Sequence, residues 1–178
     1  MFVKWGGVKH KRKSWYRHSR GKIVNDILLS DNYVEELEKY DLSYIEPFTL
    51  IVVDWSVSLC MYELVWDEKK RHFKELSLES RIWSSSTLYT DEMKMIRRQW
   101  FEDFFKENEY TKANSVDFHE NYGEGNKDLD LQIDKGVLKT VSITSVVKRG
   151  VCVEMLYKDL LLKKDTKVVM RLPSVIYE

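Results

Sequence analysis

Cysteine is scarce: the 178 residues hold two, Cys60 and Cys152, far apart and without a C-x-x-C pair. Neither a disulfide framework nor a zinc ribbon has the sulfur it needs, and both thiols are expected in the core. Two prolines and seven glycines are too few for a collagen-like or low-complexity chain. No apolar run approaches the ~18 residues that span a bilayer. The longest, Leu50–Val53, is strand-sized. Lys4 and a basic stretch follow Met1–Val3 at once, so the N-terminus lacks the apolar core of a signal peptide. A soluble, cytoplasmic protein without a membrane span is expected. Catalytic signatures are missing too: there is no Gly-rich phosphate loop, no HExxH and no GxSxG. Asp128, Asp130 and Asp134 lie close together, but the Gly and terminal Glu of a calcium loop do not fit. The four histidines show no ligand spacing. No metal and no cofactor is expected.

Apolar residues, by contrast, are plentiful at 43%, with 13% aromatics, which excludes an intrinsically disordered chain. This length forms one domain, 1–178, and buries about 70% of its unfolded surface without a staple. Net charge is zero, yet eight of the 29 basic residues fall before the first acid, Asp26. The basic opening over 4–22 reads either as a solvated loop facing an acidic body or as a nucleic-acid-binding arm. Trp5, Trp15 and Tyr16 interleave with its cations, as stacking on unpaired bases requires.

Periodicity places the elements. Ser19 precedes a helix-like stretch with Ile23, Val24, Ile27 and Leu28 at helical spacing. Its hydroxyl is a natural acceptor for an orphaned helix N–H. Asp31 is expected to cap a short second helix with Val34, Leu37 and Tyr40 on one face, and Asp41–Pro47 to be a loop. Phe48–Val53 reads as a strand buried on both faces. Leu59–Trp66 alternates, and Trp66–Lys70 turns it into Arg71–Leu76. A short strand is predicted at Arg81–Trp83. Asp91–Lys106, capped by Thr90, is a helix whose Trp100, Phe101 and Phe104 should pack on the sheet. Asn121–Lys127 is a loop by its Gly and Asn content. Strands follow at Leu138–Val147, Val151–Tyr157 and Lys167–Leu172, with a turn at Lys148–Gly150. The pattern predicts an α/β (α+β) protein, layered, with largely antiparallel sheet and packed helices. Its Ser84-Ser85-Ser86-Thr87 cluster, where a strand gives way to a helix, can bind a polar group or simply turn and cap the chain.

Several segments, in order, resemble one family. Trp5-Gly6-Gly7 through Lys13, then Tyr16-Arg17-His18-Ser19-Arg20-Gly21, resembles the loop and "SRG" helix start of the Transport and Golgi organisation family, in its bacterial NRDE-motif form. Tyr44-Ile45-Glu46-Pro47-Phe48-Thr49-Leu50 is similar to its "Y-x-PF-x-L" lead into a strand. Trp66-Asp67 resembles its "WDG" hairpin, with Glu68 in the glycine's place. Trp83–Tyr89 resembles its "TSSSL" turn, and Arg97 or Arg98 stands on the arginine-bearing helix beyond. Thr140-Val141-Ser142-Ile143-Thr144 and Met155-Leu156-Tyr157 are similar to its last strands. The resemblance runs from about residue 5 to residue 172.

That resemblance implies an Ntn-hydrolase-like sandwich of amide-hydrolase ancestry. Family members carry a cysteine directly after the initiator methionine and an NRDE segment soon after. Here Phe2 follows Met1 and no Asn-Arg-Asp-Glu occurs. The expectation is therefore an N-terminally incomplete, non-catalytic domain binding a small or lipid-like ligand. If active, it would be a hydrolase of C–N (amide) bonds, served by an upstream Cys-led segment. The resemblance marks Ser19, Arg20, Ser84, Ser85, Thr140 and Ser142 as pocket-lining positions and assigns no catalytic residue. A sheet edge left uncovered, at Phe48–Val53, would favour self-association or a partner chain, unless Met1–Lys4 substitutes as an edge strand.

Overall fold

The computed structural model describes residues 2–3, 13–85, 88–136 and 138–173. Alternating and helical apolar patterns resolve there into an α+β fold whose paired strands are all antiparallel. Two compact units divide it, Met1–Met95 and Ile96–Glu178.

The first unit carries a sheet in the order β1 (Phe2–Val3), β2 (Phe48–Asp54), β3 (Cys60–Trp66), β4 (Arg71–Leu76). On one face, Phe48, Leu50 and Leu64 pack with Ile23 and Ile27 of α1 (Arg20–Leu28) and Leu37 of α2 (Tyr33–Lys39). Leu42 and Ile45, in the loop between α2 and β2, complete this core. The run expected to be buried on both faces is so from Phe48 to Ile51, whereas Val53 is 45% exposed. The outer edge of β2 is not bare, because Phe2 and Val3 pair with Ile51 and Leu50.

Some local expectations need correction. Asn32, not Asp31, caps α2: its Oδ1 accepts the Glu35 N–H at 3.2 Å, reaching the third helical amide from the residue just before the helix. Ser19 stands at the N-cap of α1, but its side chain makes no capping hydrogen bond. Arg81–Trp83 is not a strand; instead of a ladder, the Trp83 indole donates to Glu63 Oε2 at 2.9 Å. Between β3 and β4, Asp67 Oδ1 accepts the N–H groups of Lys69 and Lys70, and Glu68 takes φ 73°. That left-handed conformation favours glycine, the residue this turn has in the resembled pattern. Neither cysteine is a core residue: Cys60 and Cys152 each open a strand and are half-buried.

The chain passes into the second unit within α3 (Asp91–Glu107), which Thr90 caps by accepting the Met93 N–H. A further helix, α4 (Lys112–Asn121), starts at the Thr111 cap. Rather than lying on a sheet, the α3 aromatics close on α4. Phe118 is fully buried among Phe101, Phe104 and Phe105, and Trp100, 7% exposed, meets Tyr122 edge-on. The sheet runs β5 (Ser142–Arg149), β6 (Cys152–Asp159), β7 (Lys164–Arg171). The turn falls at Gly150–Val151 rather than at Lys148–Gly150, because Gly150 supplies the positive φ, 55°. β5 begins later than predicted, since the chain up to Thr140 closes a loop on Ile133. Among the described residues, no helix is long and apolar enough to cross a membrane.

Candidate functional site

An open cleft of about 800 Å³ lies at the N-terminal end of α1. The segment that leads into the helix lines it with Lys13, Ser14, Tyr16, His18 and Ser19; Arg20 and Gly21 open the helix, and Glu46 comes from the loop before β2. Two of the six positions marked by the resemblance, Ser19 and Arg20, thus share one wall.

Local chemistry fixes that wall. Arg17 is tied to the Asp41 carboxylate and main-chain carbonyl, and its N–H donates to Tyr44 O at 2.8 Å, which anchors the incoming chain. Asp41 is held down to about 2, chiefly by the Ser43 N–H and hydroxyl and then by Arg17. Arg20 donates from Nη1 to Pro47 O at 3.2 Å and pairs through Nη2 with Glu46 at 3.4 Å. Lys13 pairs with Glu68 at 3.3 Å and donates its N–H to Tyr16 Oη.

Behind the wall stands a chain of polar groups. His18 Nδ1 lies 3.0 Å from Ser19 O, so with a carbonyl as partner this nitrogen carries the proton. Its Nε2 lies 3.5 Å from the Tyr40 hydroxyl, which donates to Asp26. Asp26 accepts the Lys22 ammonium at 2.7 Å as well. Lys22 first and Tyr40 second hold the Asp26 carboxyl below its ordinary range. Burial, then Asp26, pushes the Tyr40 phenol up to about 12. Nδ1 is thus engaged by Ser19 O, and Nε2 lies beside the Tyr40 oxygen, whose own proton goes to Asp26. A serine nucleophile needs its base within hydrogen-bond reach, and these contacts do not form such a pair. What the cleft offers is the hydrogen-bond donors of Lys13, Ser14, Ser19 and Arg20, its two cations being paired with Glu68 and Glu46.

The other marked residues do not join this cleft. Ser84 and Ser85 belong to the first unit but are not among its lining. Ser85 O accepts the N–H groups of Leu88 and Tyr89, so the hydroxyl cluster forms a turn there, while Ser86 and Thr87 lie outside the described residues. Thr140 and Ser142 belong to the second unit. Thr140 Oγ1 accepts the Ile133 N–H at 3.0 Å and its own N–H donates to Ile133 O, which closes a loop. Ser142 opens β5 opposite Asp159. Residues 4–12 of the basic arm, with four of its eight cations, lie outside the described residues. Sequence reasoning missed the His18–Tyr40–Asp26 chain, whose members have no motif spacing.

The second unit has a more apolar groove of about 530 Å³, lined by Ala113 and Val116 of α4 and by Leu156, with Lys112, Arg149, Asp117 and Glu120 also in its wall. Among the described residues, no three His, Cys, Asp or Glu side chains group as metal ligands. Comparison of the chain with protein-family profiles, with curated proteins and with solved structures finds no match to any of the three.

Proposed function

We propose that this chain is a binding protein that takes a small anionic ligand in the cleft at the start of α1, without turning it over. The observation that carries the reading is the clustering of Lys13, Ser19 and Arg20 on one polar cleft at a helix N-terminus, where the amide dipoles favour an anion that would displace Glu46. Arg20 is the centre of it. Its guanidinium already holds one carboxylate, Glu46, at 3.4 Å, the geometry a ligand carboxylate or phosphate would take over. Two of these three, Ser19 and Arg20, are among the six positions that the resemblance to the NRDE-motif family marks, and that family is the frame we favour. Amide hydrolysis is the weaker reading, because in the cleft the His18 imidazole is turned to Ser19 O and to Tyr40 rather than to the Ser19 hydroxyl. A lipid-like ligand has only the Ala113–Val116–Leu156 groove to favour it, and there Asp117 and Glu120 stand beside Lys112 and Arg149, which speaks against an acidic head.

Calorimetric titration with inorganic phosphate and with acetate tests the reading. Saturable binding is expected for the native chain, with at least tenfold weaker binding for Arg20→Gln at unchanged circular dichroism. Equal binding by both proteins would reject it.

A further inference from the structure

Among the described residues, strand β7 is the free edge of its sheet, and all eight of its residues are exposed. Side chains alternate between the two faces of a sheet. On one face, Glu154 and Lys158 of β6 meet Lys112 and Glu120 of α4, so the helix covers it. The other face carries a row across all three strands, Val146 opposite Met155 opposite Val168, with Val153 opposite Met170 beside it. Val146, Val168 and Met170 are 54%, 40% and 49% exposed. An apolar row that ends at an open edge invites continuation by another strand.

We propose that a second copy of this chain supplies that strand, β7 pairing with β7 antiparallel about a two-fold axis at Val168. The strand is self-complementary in that register alone among its near neighbours. Centred on Val168, Asp165 opposes Arg171 of the second copy, and the symmetry repeats the pair. Thr166 then opposes Met170, Lys167 opposes Val169, and Val168 opposes itself. Centred one residue earlier, Lys167 would face Lys167; one residue later, Lys167 would face Arg171. Like charges directly opposite one another are destabilising, and opposite charges stabilise a cross-strand pair. The Lys167 ammonium is met within its own chain by Glu154. In this arrangement the row Val146–Met155–Val168 runs unbroken into its symmetry mate.

Charge reversal tests both the surface and the register, independently of the ligand cleft. By light scattering, the native chain is expected at twice its 21.3 kDa mass at micromolar concentration. Asp165→Arg and Arg171→Asp should each halve that mass, since each places like charges opposite twice. Mixing the two variants should restore the doubled mass, because both cross-strand pairs then become Arg–Asp. A monomeric native chain, singly reversed variants that stay dimeric, or a mixture that stays monomeric would overturn the proposal. Restoration of the doubled mass on mixing also separates loss of pairing from loss of folding.

Discussion

Arg97 is 5% exposed, an unusual place for a guanidinium, and two main-chain carbonyls hold it: Nε donates to Leu129 O at 3.0 Å and Nη2 to Asp130 O at 2.8 Å. Each acceptor stripped of its donor in a buried site costs about 1–3 kcal/mol. Arg97→Met should therefore lower unfolding free energy by about 2–4 kcal/mol in urea. Arg97→Lys should recover only part, having no fork of N–H groups to span both carbonyls. A loss below about 1 kcal/mol would show that the carbonyls find other donors. Single residues were the least legible feature of the sequence. Arg97 sat on the apolar stripe without a sign of what it holds, since its partners lie some thirty residues on and are backbone atoms. Gly123 is the opposite case. Its loop was readable from composition, but its necessity was not: a Cβ there would lie 2.4 Å from the Asp130 carboxyl, which accepts the Glu124 N–H.

Elements with a strong period were legible, and elements without one were not. The stripe on α3 placed the helix to within one residue, and the turn signals placed β4 at Arg71–Leu76. By contrast, α4 has only Val116 and Phe118 as large apolar residues, so nothing periodic announces it. Without α4 in view, the aromatic face of α3 was assigned to a sheet. The ring cluster makes a graded prediction. Trp100→Ala, at a position 7% exposed, should cost about 3–5 kcal/mol. Ile96→Ala, one turn earlier and 39% exposed, should cost less than about 1 kcal/mol. Equal costs in denaturant titrations would mean that Ile96, on the same helix face, is buried as deeply as Trp100. The marked site residues divide along the same line: Ser19 and Arg20 reach a cleft, whereas Thr140 is engaged in closing a loop.

Across the whole molecule, carboxylates held low and phenols held high shape the pH dependence; Asp41, Glu154 and Tyr40 show it, and burial, then Asp54, raises Tyr33 as well. Asp41, through Ser43 and then Arg17, and Glu154, through Lys112 and then Lys167, both titrate at about 2, below their ordinary 3.8 and 4.5. Groups with depressed values stabilise the fold fully above their ordinary range and lose that contribution as pH falls through the folded value. Tyr40 works in the other sense. Burial and then Asp26 raise it from 10 to about 12, so the fold holds its proton more tightly than the unfolded chain does. That contribution is present below pH 10 and is lost as pH rises toward 12. A plot of Tm against pH should be flat between about 5 and 9, falling from about 4.5 to 2 and again above 10. A continuous slope through neutrality would contradict this assignment.

The central claim is where a ligand binds, and amide chemical shifts read that directly. In a ¹H–¹⁵N titration with inorganic phosphate, the Gly21 and Lys22 amides at the start of α1 should shift together and saturate. The same resonances should stay still in Arg20→Gln. Shifts confined to α4 and β6, or no saturable shift at Gly21, would contradict the account.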